Sequence, residues 1–155
     1  MENEKIKNTT TLFLIRHAEK QDDTKNTDLS QEGFERAQYW KKYFQNTKID
    51  TFYSSGFQRA RHTCQPMAFE RDKNVTIYKN HLMNLKTLLA ENQGKTILLV
   101  GHSNRIPKFI NKLLGEEKYP EIKEPEFGNL YIIKEIDGKI TSQLIVPKKE
   151  ENATV

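Results

Sequence analysis

Two segments of the chain, Thr11–Ile15 and Lys95–Val100, contain continuous apolar runs of strand length. A strand that is buried on both faces reads as such a run, whereas a half-buried strand alternates apolar and polar positions. These segments therefore predict the central parallel strands of a sheet. Two weaker segments, Ile49–Ser54 and Thr76–Tyr78, predict further strands.

Helical spacing of apolar residues separates the predicted strands. Aromatic and small residues from Phe34 to Phe44 recur at intervals of three and four behind Ser30, a residue type that caps helix N-termini. Three more helices are predicted, and they cover Phe57–Phe69 with an interruption near Pro66, Leu82–Glu91 before a stop at Gly94, and Ile106–Leu114 before a stop at Gly115.

The last part of the chain predicts a β-hairpin. Leu130–Ile136 and Lys139–Val146 flank Asp137-Gly138, a dipeptide typical of type I′ turns. Strands that alternate with helices indicate an α/β fold, a three-layer α/β/α sandwich with a mostly parallel central sheet. We expect one domain over residues 1–155, with residues 1–9 and 148–155 as flexible tails.

Composition and charge exclude several classes of protein. The longest apolar runs are far shorter than the ~20 residues that span a bilayer, and the N-terminus has no secretory pattern, so we expect a cytoplasmic protein without a membrane partner. The single cysteine, Cys64, cannot form an internal disulfide or a thiolate zinc site. The net charge of +4 mildly favours anionic ligands but is not a nucleic-acid signature.

Basic side chains and imidazoles follow the ends of three predicted strands. Arg16 and His17 follow the first apolar run, His102 follows the second, and Arg59 comes shortly after Ile49–Ser54. Because ligands of open α/β sheets bind at the carboxyl ends of the strands, we expect these four side chains to share one crevice. Two arginines and two histidines suit a phosphate dianion.

Four motifs in order make the sequence resemble the histidine phosphatase superfamily, which also contains the cofactor-dependent phosphoglycerate mutases. Ala18 replaces the glycine that is usual in the first motif. The motifs are Arg16-His17-Ala18-Glu19, Leu29-Ser30-Gln31-Glu32-Gly33, the segment Ser54 to Thr63 with Arg59-Ala60, and Ile97 to His102. Gly101-His102-Ser103-Asn104 and Glu126-Phe127 are similar to short bacterial members.

The resemblance implies a phosphoglycerate mutase-like fold and a phosphatase that needs no cofactor and no metal. It implies that His17 attacks phosphorus and becomes phosphohistidine, so its other ring nitrogen should donate to a backbone carbonyl. The substrate would be a phosphorylated small molecule or a phosphoprotein. The implied substrate-binding residues are Arg16, Arg59, His102, Ser103 and Asn104.

This sequence departs from the family pattern at the residue that would donate a proton to the leaving group. Many members supply a Glu or Asp between the third strand and the third helix, but Tyr78–Leu85 contains no acid. Glu19 is the preferred candidate, and Asp22, Asp23 and Asp28 are the next nearest acids in the sequence. A missing acid favours phosphohistidine as substrate, since its leaving nitrogen is readily protonated.

Other interpretations of single residues have less support. Cys64 lacks the Cys-x5-Arg spacing of cysteine phosphatases, and Arg105 stands where a serine-hydrolase elbow needs glycine. His62 and His81 are interpreted as structural or exposed. The remaining alternative of a different class is a catalytically weak phosphate- or phosphoprotein-binding protein on the same fold.

Overall fold

A computed structural model describes residues 8–148 and residue 153. One six-stranded sheet, in the order β3-β2-β4-β1-β5-β6, forms its middle layer. The strands are β1 (Thr9–Arg16), β2 (Thr51–Ser55), β3 (Val75–Tyr78), β4 (Thr96–Gly101), β5 (Leu130–Ile136) and β6 (Lys139–Ile145). The helices are α1 (Gln31–Tyr43), α2 (Gln58–Glu70), α3 (Leu85–Glu91) and α4 (Ile106–Leu114).

Strand pairing confirms the predicted mostly parallel sheet. β4 pairs in parallel with both β1 and β2, and β3 extends the parallel part beside β2. The hairpin of β5 and β6 adds antiparallel strands at the β1 edge. In the register, Arg16 lies opposite Gly101 and Ser54 lies opposite Val100, so β1, β4 and β2 end at the same edge.

Helices cover both faces of this sheet. Successive side chains of a strand point to opposite faces, and β1 accordingly sends Phe13 and Ile15 into one apolar cluster and Leu12 and Leu14 into another. The first cluster includes Trp40 from α1 and several side chains of α2, and the second includes side chains of α3 and α4. The three-layer α/β/α sandwich is confirmed.

Two predicted helices differ in the structure. α2 runs without interruption through Pro66. A proline cannot donate to the carbonyl four residues earlier, but burial of Cys64 and Met67 on either side of Pro66 keeps the helix against the core. α3 begins at Leu85 and not at Leu82, because the Asn84 side chain caps it by accepting from the backbone N of Thr87 at 3.1 Å.

The structure describes only part of the two predicted tails. Thr9 was expected in a tail but begins β1 and pairs with Ile136. Near the other end, the backbone N of Ala153 donates to the carbonyl of Tyr43 at 2.9 Å. Residues 1–7, 149–152 and 154–155 of the expected tails lie outside the described residues. Within the described part of the chain, no helix is both long and apolar enough to cross a bilayer.

The start of α1 is pressed against the loop that follows β1. Ser30 caps the helix by accepting from the backbone N of Gly33 at 3.1 Å, and its own backbone N donates to the carbonyl of Glu19 at 3.0 Å. A Cβ atom at position 33 would collide with that same Glu19 oxygen. Glycine at this position therefore lets α1 hold the loop directly after His17 in place.

We predict that Gly33→Ala destabilises the fold by about 1–3 kcal/mol, because the backbone of Glu19 cannot retreat without moving the loop. Urea denaturation measures the effect. Gly56→Ala is the control, since the nearest atom to its added Cβ would be Ile77 Cγ2 at 3.8 Å, an ordinary contact distance. Equal stability of the two variants would contradict the close approach.

Candidate active site

The ends of β1, β2 and β4 bring the predicted site residues together. Arg16 is the last residue of β1, and the backbone N of the next residue, His17, donates to the carbonyl of Gly101 at 2.8 Å. His102 follows that glycine directly, and the centroids of the two imidazole rings are 5.2 Å apart. Arg59 lies in the first turn of α2, close enough for its charge to act on both rings.

His17 is held in one tautomer. Its Nδ1 lies 2.7 Å from the carbonyl oxygen of Ala18, and because a carbonyl can only accept, Nδ1 carries the hydrogen. The neutral ring therefore has its lone pair on Nε2, which confirms the predicted backbone hydrogen bond. Burial, with smaller contributions from the charges of His102, Arg16 and Arg59, lowers the pKa of His17 to about 3. The imidazole is thus unprotonated near neutral pH.

His102 is equally enclosed. Its Nε2 lies 2.7 Å from the hydroxyl oxygen of Ser55, the last residue of β2. The ring of Phe57 meets it edge-on, with the centroids 5.2 Å apart. Burial, followed by the positive charge of Arg59, lowers the pKa of His102 to about 4. The contact with Ser55 was not predicted, although Ser55 belongs to one of the recognised motifs.

Arg16 is fastened at one end of its guanidinium group. Its Nη1 donates to three backbone carbonyls of the loop after α4, and its Cζ lies 4.0 Å from the ring centroid of Phe127. The three carbonyls belong to Lys123, Glu124 and Glu126. Carbonyl oxygens hold Nη1 without neutralising it, whereas Nη2 lies 3.5 Å from the largely exposed carboxylate of Glu124. The Arg16 side chain is only 2% exposed. A fixed positive charge is therefore kept within the site.

Arg59 is held in a similar way on the other side. Its Nη1 donates to the carbonyl of Lys25 at 2.9 Å, and its Cζ lies 4.7 Å from the ring centroid of Phe57. The Nε atoms of Arg59 and Arg16 are both buried and have no hydrogen-bond partner among the described residues. Buried N–H groups are nearly always paired, so two unpaired donors at one site suit an anionic ligand.

Glu19, predicted as the proton donor, is instead paired with Arg36. Both of its carboxylate oxygens accept from Arg36 of α1, in three hydrogen bonds of 2.8 to 3.0 Å. The Glu19 side chain is 11% exposed, so this pair is largely shielded from water. Both oxygens of Glu19 are therefore occupied by one guanidinium, which argues against its use as the proton donor. Sequence reasoning missed Arg36, which ties the nucleophile loop to α1.

The other residues named from the sequence differ in their position relative to this centre. Ser103 and Asn104 occupy the turn between His102 and α4, the first half-buried and the second exposed. His62 is not at the centre, and its Nδ1 lies 2.6 Å from Asp28 Oδ1. Cys64 is a core residue, and burial raises the pKa of its thiol far above its usual range. It is not the nucleophile of a cysteine phosphatase site.

Comparison with known families agrees with the motifs. The family model of the histidine phosphatase superfamily (branch 1) matches residues 12–84, a segment that contains Arg16, His17 and Arg59. Over this segment the chain is similar to the histidine phosphatase superfamily. The resemblance predicted from the sequence is thereby confirmed over residues 12–84. No curated protein matches the chain significantly by sequence.

Solved structures of two phosphatases and a phosphoglycerate mutase share the fold. The alpha-ribazole phosphatase from Shigella flexneri superposes with a TM-score of 0.73 at 18% identity, covering 94% of this chain and 100% of that one. A phosphoserine phosphatase variant from Entamoeba histolytica in complex with phosphoserine gives 0.71 at 19% identity, covering 86% and 94%. A phosphoglycerate mutase from Bacillus anthracis gives 0.67 at 14% identity, covering 92% and 95%. The phosphoglycerate mutase-like fold is confirmed.

We predict that the two histidines make the protein less stable at mildly acidic pH. Their lowered pKa values mean that the unfolded chain, with histidine near 6.5, binds more protons than the folded chain between about pH 6.5 and pH 4. The free energy of unfolding therefore falls as pH drops through that window, by up to about 1.4 kcal/mol per pH unit for each histidine. Urea denaturation at several pH values measures this slope.

The variant His17→Asn should have a shallower slope than wild type, because it removes one of the two groups. His81→Asn, at an exposed position outside the site, is the control and should keep the wild-type slope. A His17→Asn profile parallel to that of wild type would show that His17 titrates equally in both states, contrary to its burial.

Proposed function

We propose that this protein is a phosphatase that forms a phosphohistidine intermediate on His17 and hydrolyses phosphomonoesters or phosphohistidine without a metal ion. One observation carries the proposal. Nδ1 of His17 donates to the carbonyl of Ala18, which leaves Nε2 as a free nucleophile beside two arginines with unpaired buried Nε–H groups. The arrangement supplies both an attacking atom and a receptor for phosphoryl oxygens.

The reaction would proceed in two displacements. Nε2 of His17 attacks phosphorus, the bond from phosphorus to the leaving group breaks, and the leaving group departs with the electron pair. Water then attacks the phosphohistidine, the phosphorus–nitrogen bond breaks, and orthophosphate leaves. Arg16 and Arg59 stabilise the phosphoryl charge in both steps, and they are prepositioned by carbonyl oxygens, so little reorganisation is needed.

The similar structures support a phosphorylated substrate of modest size. A phosphoserine phosphatase was solved with phosphoserine, and a mycobacterial glucosyl-3-phosphoglycerate phosphatase, with a TM-score of 0.67, was solved with inorganic phosphate. We extend to this chain a phosphorylated small molecule or a phosphoprotein as substrate. The net charge of +4 is consistent with an anionic substrate and gives no support to a nucleic-acid partner.

We predict that the protein hydrolyses p-nitrophenyl phosphate in excess EDTA, and that His17→Ala lowers kcat by at least about a thousandfold because the nucleophile is lost. His81→Ala is the matched control, since His81 is exposed and lies outside the site. It should keep kcat within about threefold of wild type, a shift of less than 1 kcal/mol. Undiminished turnover by His17→Ala would contradict the proposal.

Anion binding and turnover, measured together, distinguish an enzyme from a phosphate-binding protein. Titration calorimetry with orthophosphate or vanadate should show weaker binding to Arg59→Ala and His102→Ala than to wild type. Wild-type affinity in both variants would remove these residues from the site. Phosphate binding without turnover in the wild-type protein would favour the phosphate- or phosphoprotein-binding alternative.

A further inference from the structure

The proposed function, on which this inference rests, leaves one proton unassigned. A departing alkoxide needs a proton, and the segment Tyr78–Leu85 has no acidic residue to give it. Glu19 is held by Arg36 through both oxygens. For ordinary phosphomonoesters, a second carboxyl group near the phosphate-binding arginines would supply this proton.

Each acid in the loop after His17 already has a local partner. Asp22 Oδ1 accepts from both the backbone N and the hydroxyl of Thr24, at 2.9 and 2.5 Å. Asp28 Oδ1 accepts from the backbone N of Leu29 at 2.7 Å and also contacts His62. The remaining acid, Asp23, is fully exposed and lies 3.4 Å from Lys20 Nζ. These contacts organise the loop and point to no role at the phosphate.

Glu124 is placed differently. Its carboxylate Oε2 lies 3.5 Å from Nη2 of Arg16, and among the described residues it is the only carboxylate in an ion pair with Arg16 or Arg59. The Glu124 side chain is 75% exposed, whereas the Arg16 side chain that it contacts is buried. Glu124 therefore lies at the mouth of the site. An exposed carboxyl group in contact with a phosphate-binding guanidinium is close to any leaving group that extends toward solvent.

The backbone around Glu124 is fixed by the same arginine. Nη1 of Arg16 donates to the carbonyl of Glu124 at 2.8 Å and to that of Glu126 at 2.9 Å. Glu126 in turn accepts from the backbone N of Lys123 at 3.2 Å. Since these contacts occupy Nη1, the Nε and Nη2 edge of Arg16 is the one left for phosphoryl oxygens. Glu124 borders that edge.

We propose that Glu124 is the proton donor and that the substrate class includes alkyl phosphomonoesters, whose leaving groups need one. As His17 attacks, the phosphorus–oxygen bond breaks and its electron pair goes to the leaving oxygen, which takes the proton of the Glu124 carboxyl group. In the second step the Glu124 carboxylate accepts a proton from the attacking water, the hydroxide oxygen joins phosphorus, and the pair of the phosphorus–nitrogen bond returns to Nε2. The carboxyl group is restored.

Leaving-group dependence tests this assignment. The substrates are p-nitrophenyl phosphate, phenyl phosphate and glycerol 2-phosphate, in order of increasingly poor leaving groups. Glu124→Gln should lower kcat/KM, which reports phosphorylation of His17 and not the later hydrolysis common to all substrates, by roughly 10²–10⁴ for glycerol 2-phosphate and by less than about tenfold for p-nitrophenyl phosphate. Glu121→Gln, an exposed acid of the same loop, is the matched control and should leave all three rates near those of wild type.

Glu19→Gln is measured alongside. If Glu19 positions the loop through Arg36, its loss should lower all three rates by the same factor. A loss in Glu19→Gln that grows with poorer leaving groups would make Glu19 the donor and overturn the proposal. Equal losses of kcat/KM on all substrates in Glu124→Gln, or a gain in kcat/KM, would also overturn it, because Glu124 would then act only as an anchor or as a competing anion.

The failure of this assignment is distinguishable from failure of the proposed function. Wild-type protein that hydrolyses p-nitrophenyl phosphate through His17 but none of the alkyl esters would reject Glu124 as donor and keep the phosphohistidine mechanism. Turnover that survives His17→Ala would reject the mechanism itself. Partial recovery of glycerol 2-phosphate hydrolysis in Glu124→Asp relative to Glu124→Gln would support proton transfer from this position.

Discussion

The parallel ladder between β1 and β4 is the interaction on which the site depends. It continues one residue past the end of β1, where the backbone N of His17 donates to the carbonyl of Gly101 at 2.8 Å. Because the two strands are buried in the centre of the sheet, this register is fixed by apolar packing on both faces. The same register places His102 beside His17, so the hydrophobic core determines the distance between the two imidazoles.

Neutral carbonyl groups fix the two arginines that supply positive charge at the site. Carbonyl oxygens fix one end of Arg16 and of Arg59, and the carboxylate of Glu19 binds Arg36 through both oxygens. The one carboxylate paired with either arginine among the described residues, that of Glu124, is largely exposed and lies 3.5 Å from Arg16 Nη2. Burial lowers the pKa of both arginines, and their unpaired Nε–H groups give them a strong demand for an anion. The same burial keeps His17 neutral, so one physical cause prepares both the receptor and the nucleophile.

Most of the fold and the centre of the site could be predicted from the sequence, because both follow from local patterns of residues. Apolar runs identify the buried strands, glycine at 115 with a φ of 74° ends α4, and strand ends collect the arginines and histidines. Contacts between distant loops have no local signal. Arg36 lies 17 residues from Glu19, and Glu124 lies 108 residues from Arg16, so neither partner could be paired from the sequence. Pro66 was misjudged because core packing on α2 outweighed its missing hydrogen bond.

Trapping the phosphoenzyme would decide whether His17 is the nucleophile. The protein would be mixed rapidly with radiolabelled p-nitrophenyl phosphate, quenched in alkali and digested, and the labelled peptide would be identified by mass spectrometry. A phosphorus–nitrogen bond survives alkali and is lost in acid, so the account predicts an acid-labile label on the peptide that contains His17, and none in His17→Ala. Turnover without any trapped label, or an acid-stable label on another residue, would contradict it.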